Sequence, residues 1–410
     1  MAAIATASAR PAQRLFPTRL YNTFAGARRP WDVNEMLDAA RRRAGLEDWG
    51  DDDFREGLEV LLDGLNQDRK MTAWGRTLLR RILLQRLTDK LEIQRELVAR
   101  PELLERPVLR PIIIVGPGRT GTTLLQRLLA LDPYLRAPRY WELTFPTPAP
   151  DPRTDATDPR IGQAARELAF RHYLCPGLRV VHPMAATAPD ECLPLMERAL
   201  FNPVTAAWFD VPGYFEWCLQ ADHRRVVGRY LYHRTQLQLM QGDHPHRRWI
   251  LKAPLHGFFL RAVAQVYPDA TFVVTHRDST AVLASLCSLV AVVRGLFHDE
   301  IDLHGVGRFA AGFAESRNRR LHDALCAIRP EQIAHVEFDA ITRRPLETLQ
   351  RLYPQLGVAL PEEHSLVVKR FLESQVNGNH TRHRYELADF GLDSGWVEDA
   401  EVTDSMALSY

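Results

Sequence analysis

Apolar positions along this chain follow two rhythms, and the places where one gives way to the other mark out the fold. Between residues 32 and 100 they recur at helical spacing. Leu78, Leu79, Ile82, Leu83, Leu87 and Leu91 form one stripe, with Asp, Glu and Arg on the other faces. Pro101, Pro107 and Pro111 end that pattern. Short strand-like runs, largely apolar, follow at 112–115, 249–251, 271–275 and 333–338, with helical patterns at 257–266 and 280–294 between them. Strands that are apolar on both faces belong to a sheet covered on both sides, and their alternation with helices predicts a parallel one. The fold class expected is α/β: a three-layer parallel sheet with flanking helices, in which ligands bind at the carboxyl ends of the strands.

The same pattern divides the chain. Residues 1–31 carry five arginines and no acid, which is expected of a flexible tail and superficially resembles a transit peptide. Residues 32–105 form an N-terminal helical segment, 106–370 the α/β core, and 371–410 a basic C-terminal loop and tail. Within the core, five prolines in 146–160 open an insertion running to about 245. It mixes short helical patterns with aromatic-rich turns such as 207–217, and is expected to face the substrate. There is no repeat and no low-complexity tract.

Bulk properties narrow the function by exclusion. A chain of 410 residues can bury a sizeable core, and a formal charge of +1 supplies no field for nucleic acid or an anionic membrane. No stretch of 18 uncharged apolar residues exists, so no transmembrane helix is expected. Five cysteines, widely spaced and odd in number, fit neither a disulfide framework nor a structural zinc site and suggest a reducing cytoplasm.

The chemistry concentrates in PIIIVGPGRTGTTLLQRLLAL, residues 111–131. A buried strand runs into a turn built on Gly116, Pro117, Gly118 and Gly121, and an amphipathic helix begins near Thr122. This P-loop-like arrangement aims free N–H groups and the positive end of the helix dipole at one point, an anion site most often filled by phosphate. It nearly fits G-x-x-x-x-G-K-[ST], except that Thr122 stands at the lysine position and the nearest cation is Arg119. A second cation stands at a strand end, where His276-Arg277-Asp278-Ser279 leads into a helix carrying Ser285 and Ser288. Arg277 and Ser285 offer a forked cation and a hydroxyl to a second anion. Two anion sites suggest a nucleotide with phosphates at both ends.

These residues resemble those of the PAPS-dependent sulfotransferases, and most closely the bacterial-type branch whose loop reads G-x-x-R-[ST]-G-T-T. The resemblance spans roughly residues 75–395 and includes PRYWEL at 138–143, WILKAPLH at 249–256 and HRYELADFGL at 383–392. It implies that Arg119, Thr120, Gly121, Thr122 and Thr123 hold the 5′-phosphosulfate of PAPS (3′-phosphoadenosine-5′-phosphosulfate). Arg277 and Ser285 would hold the 3′-phosphate, and Arg382 or Arg384 would close a late basic loop over it. Members acting on small aromatic substrates carry a loop lysine, and a histidine where this chain has Pro254, so their base does not transfer.

Sulfuryl transfer needs cations to hold developing charge and a base to deprotonate a hydroxyl or amine acceptor; it needs no metal. Lys252, at the end of an apolar run, is the candidate for neutralising charge on the leaving phosphate. Glu142 is the first candidate base, because glycan- and protein-modifying members resembling this branch place a glutamate there. His256 is the second, on the strength of an imidazole's ordinary pKa, and Asp190 with Glu191 the third. The aromatic insertion suggests a small-molecule or lipid-like alcohol as acceptor, although core packing leaves the same trace. Two other classes stay open: a kinase or NTPase, for which Asp278 is the available magnesium ligand, and a non-catalytic nucleotide-binding scaffold.

Overall fold

A computed structural model of the chain describes residues 29–151, 153–242, 247–376 and 386–393. Five parallel strands form its sheet: β1 (Ile112–Val115), β2 (Leu135–Arg136), β3 (Arg248–Lys252), β4 (Thr271–His276) and β5 (Ile333–Glu337). Their spatial order is β2-β3-β1-β4-β5. In register, Ile114 of β1 lies between Lys252 of β3 and Val273 of β4. Successive side chains of a strand point to opposite faces, so β1 feeds two cores. Ile113 and Val115 join the larger one, with Leu251, Phe272 and Val274, while Ile112 and Ile114 join a smaller one with Ile250, Val273 and Tyr353. The strand-like runs of the sequence are strands of this sheet; β1, β3 and β4 are buried on both faces, whereas the edge strand β5 alternates, with His335 and Glu337 exposed.

Helices α1 (Val33–Ala44), α2 (Phe54–Gln67) and α3 (Ala73–Ala99) precede the sheet. α4 (Thr122–Leu129) follows β1, and α5 (Tyr140–Thr144) follows β2. The insertion contains α6 (Pro159–Leu174) and α7 (His223–Met240); α8 (Ser279–Arg294) follows β4, and α9 (Leu303–Leu325) follows α8. α10 (Pro345–Gln355) and α11 (Glu362–Val376) come after β5. β1 sends its crossover towards β2, whereas β4 sends its crossover towards β5. The crevice between the β1 and β4 ends is therefore the switch point at which open α/β sheets bind ligands.

The aromatic stretch 207–217 is not a set of turns; Pro212–Gln220 is a helix. Its rings are core. Phe209 meets Phe297 at 4.6 Å, and Phe215 meets Phe313 at 5.7 Å. The same core takes Leu58, Leu62, Leu87 and Leu91 from α2 and α3, so the N-terminal helices and the insertion are packed together. Their junction is polar at one point. Arg198, with 0% exposure, donates from Nε to Asp89 Oδ2 of α3 at 3.0 Å and also bonds the Leu143 carbonyl. Removing the carboxylate strands a buried guanidinium. Asp89→Ala should destabilise the protein by about 3–5 kcal/mol in urea unfolding; a loss below about 1 kcal/mol would show that this junction is not held by charge.

Candidate active site

The loop between β1 and α4 is shaped by how close β1 runs to β4. Gly116 has φ 132°, and a Cβ there would lie 2.6 Å from Thr275 Oγ1 and 2.8 Å from the Thr275 carbonyl oxygen. Glycine is the residue that permits both the angle and the approach. Arg119 takes the left-handed region at φ 75° without being glycine, a strain of about 1–3 kcal/mol that such sites tolerate when the surroundings hold it. Gly121, at φ 83°, then starts α4. The Thr120 hydroxyl donates to the Pro117 carbonyl at 2.6 Å and meets the Thr275 hydroxyl. Thr120 was assigned to the phosphate site; its side chain is fully buried and fastens the loop to β4, so its part there falls to its backbone. Among the described residues, the N–H groups of Gly118, Arg119 and Gly121 donate to no protein acceptor. They remain free for an anion at the helix N-terminus.

Arg119 and Arg277 come together over this loop. Arg277 Nη1 donates to the Arg119 carbonyl at 2.7 Å, and its guanidinium stacks on Phe338 with the central carbon 3.9 Å from the ring centroid. Arg119 Nε donates to Ser285 Oγ at 2.8 Å, and its Nη1 donates to the Val181 carbonyl at 2.8 Å. Among the described residues, neither arginine forms an ion pair with a carboxylate. Burial and the like charge of Arg277 both lower the Arg119 pKa. Glu191 opposes that lowering without bonding Arg119. Two guanidiniums with no bonded carboxylate, a serine hydroxyl and free backbone N–H groups are what a bisphosphate needs. Asp278 does not pair with Arg277. It caps α8, accepting from Ala281 N at 2.7 Å.

On the other side of β1, Lys252 ends β3 with 2% exposure. Its Nζ donates to Glu191 Oε1 at 2.8 Å and to Thr123 Oγ1 of α4 at 3.3 Å. The Cys192 N–H donates to the Lys252 carbonyl at 2.9 Å, so the segment carrying Asp190 and Glu191 lies along the end of β3. Burial would raise the Asp190 pKa, but His182 and the charge of Lys252 outweigh it and hold the carboxylate low. Glu191 was third among the candidate bases. It is the carboxylate that the fold puts against Lys252 and the start of α4.

The two leading bases are placed differently. Glu142 has 0% exposure and is gripped by Arg136 and Arg139, with Oε2 accepting from Arg139 N at 2.9 Å. Burial alone would raise its pKa; the two guanidiniums outweigh burial and hold it below 4.5. A carboxylate with no accessible surface and two cationic partners can neither reach an acceptor nor take its proton. His256 is also buried, with 1% exposure, and burial lowers its pKa to about 3. It bonds Tyr230 Oη at 3.0 Å inside the core. Both expectations gave the residue type too much weight and the local burial too little. Phe338, Thr275 and His182 went unnoticed; Phe338 directly follows β5, a strand-end position that could have flagged it. Arg382 and Arg384 lie outside the described residues.

A cavity of about 530 Å³ opens at the C-terminal end of α4, away from the loop, lined in part by Arg127, Leu131, Leu135, Arg139, Met184 and Pro189; none of Arg119, Lys252, Glu191, Arg277 or Ser285 lines it. Its wall at 183–189 leads directly into Asp190 and Glu191.

Comparison with known proteins agrees with this geometry. The model of the sulfotransferase family matches residues 111–362. The crystal structure of sulfotransferase STF1 from Mycobacterium tuberculosis is 30% identical with a TM-score of 0.80, covering 90% of this chain and 98% of that one. Sulfotransferase STF9 from Mycobacterium avium shares the fold at a TM-score of 0.84 and 24% identity, covering 94% of this chain and 98% of that one. Omega-hydroxy-beta-dihydromenaquinone-9 sulfotransferase Stf3 of Mycobacterium bovis is 26% identical over 255 residues, 60% of this chain. The match spans 63% of that relative's length.

If Glu142 is a buried counter-ion, Glu142→Gln should cost about 3–5 kcal/mol in stability and leave nucleotide affinity of the folded protein unchanged. Its depressed pKa adds stability that is present above pH 4.5 and lost as pH falls through the folded value. The variant should therefore show a shallower acid limb in unfolding experiments. A fall in turnover at unchanged stability would restore Glu142 as the base.

Proposed function

Because the chain belongs to the sulfotransferase family, we propose that it transfers a sulfuryl group from PAPS to a hydroxyl on an acceptor with an extended apolar body. One observation carries the donor assignment: Arg119 and Arg277 meet over a glycine loop, and among the described residues no carboxylate is paired with either. The residues fit the donor's two ends. The N–H groups of 118–123 and Arg119 would take the 5′-phosphosulfate, and Arg277 with Ser285 the 3′-phosphate. The donor supplies the sulfuryl group and a bisphosphate leaving group; the protein supplies position and charge.

Lys252 sits between the loop and the candidate base. Bonded to Thr123 and Glu191, it is placed to give its charge to the leaving oxygen. Glu191 is placed to accept the acceptor's proton, as a carboxylate at the end of the 183–191 segment whose side chain keeps 16% exposure beside Lys252. The acceptor class rests on a relative and not on the cavity, which opens away from the loop. The relative Stf3 is named for acting on omega-hydroxy-beta-dihydromenaquinone-9, which supports an acceptor of this class. No described helix is long and apolar enough to cross a membrane.

Adenosine 3′,5′-bisphosphate should raise the melting temperature, while ATP with magnesium should not. Arg277→Ala should weaken the bisphosphate about 10–100-fold, the loss of one charge-assisted contact. Stabilisation by ATP-magnesium alone would support the kinase class instead. With labelled donor, Glu191→Gln should retain bisphosphate binding and lose about 10²–10⁴ in kcat. Unchanged turnover in that variant removes Glu191 as the base.

A further inference from the structure

Behind β3 lies a second cluster that the transfer chemistry does not use. Cys192, His233 and His256 bring three ligating atoms within 4.8 Å of one another. All are buried, with exposures of 0%, 0% and 1%. Both imidazoles are fixed through Nδ1, His256 by Tyr230 Oη at 3.0 Å and His233 by Tyr267 Oη at 2.7 Å. The Nε2 atom of each has no hydrogen-bond partner. A buried ring nitrogen with no partner carries the full penalty of desolvation. Two of them beside one thiol are the donor set of a metal site, with tyrosines orienting the rings from outside.

We propose that Cys192 Sγ and the Nε2 atoms of His233 and His256 bind one soft d¹⁰ cation, Cu(I). Thiolate and imidazole ligands suit such ions. Charge selects among them. Binding replaces the thiol proton, which leaves to solvent, so Cu(I) with one thiolate is neutral whereas Zn(II) leaves one positive charge in the core. The neighbouring Lys252 is already matched by Glu191 and offers no compensation. Donors at about 2.0–2.3 Å from an ion stand roughly 3.5 Å apart, so the cluster must close by about 1 Å. Cys192 lies at the start of a short helix and His256 in a 3₁₀ turn, so the backbone around both is irregular. The ion would brace the active site from behind, since Cys192 bonds the Lys252 carbonyl and follows Glu191 directly. The proposal stands on this geometry and not on the donor or acceptor assigned above.

Exposed Cys326, with Sγ 3.9 Å from His322 Nε2, would take up copper adventitiously, so the experiment uses the full chain carrying Cys326→Ser. That protein is produced in copper-supplemented medium, purified anaerobically and challenged with the Cu(I) chelator bicinchoninate. It should retain about one equivalent of copper and melt at a higher temperature than protein made without copper. X-ray absorption should show one sulfur and two nitrogen ligands. Adding Cys192→Ser should abolish retention. The absorption spectrum decides the matter even if that variant does not fold. Failure to retain copper, or a spectrum lacking one sulfur and two nitrogens, overturns the site. Preferential retention of zinc from a mixed medium overturns the assignment to Cu(I).

Discussion

Two guanidinium groups held together without a carboxylate are the constraint on which the rest of the site depends. Arg277 grips the backbone of Arg119, and Arg119 bonds Ser285 across the switch point of the sheet. Like charges at this distance repel, and partial burial removes the water that would screen them. The chain keeps them there by covalent and packing means: Arg119 in a left-handed turn, Arg277 stacked on Phe338, and the loop fastened by Thr120 to β4. Strain and repulsion held in one place make sense if an anion relieves both on binding.

The sheet explains why this happens here. β1 and β4 are neighbours whose crossovers depart in opposite directions, so the loops that follow them face each other over one crevice. Gly116 lets β1 end against Thr275, at a distance no other residue would tolerate. β3, on the other flank of β1, brings Lys252 to the start of α4 and carries the 190–192 segment with it. Cation, carboxylate and phosphate loop thus converge because three adjacent strands end close to one level, β3 one residue short of β1 and β4 two beyond it.

Much of this was legible beforehand, and the exceptions have physical causes. Buried parallel strands advertise themselves as unbroken apolar runs, and the Gly/Thr loop is written in consecutive residues. Arg277 and Ser285 were paired by the motif that the resemblance carries; in the fold Ser285 bonds Arg119, and Arg277 bonds the Arg119 carbonyl. Glu142 and Glu191 could not be ranked, because what separates them is burial. Glu142 is enclosed by Arg136 and Arg139, the first of which comes from the two-residue strand β2, while Glu191 meets a lysine 61 residues away. His256 read as a base by residue type, yet its pKa is set by a core that only the folded chain assembles. The insertion's aromatic rings looked like a pocket lining and proved to be packing against Phe297 and Phe313.

The account turns on where a bisphosphate nucleotide sits, and a crystal structure of the protein with adenosine 3′,5′-bisphosphate measures that directly. The predicted result places the 5′-phosphate against the backbone of residues 118–123. The 3′-phosphate should lie between Arg277 and Ser285, with the Arg119 side chain released from Ser285 to make room. A nucleotide bound elsewhere, with Arg119 still bonded to Ser285 and Arg277 untouched, would contradict it.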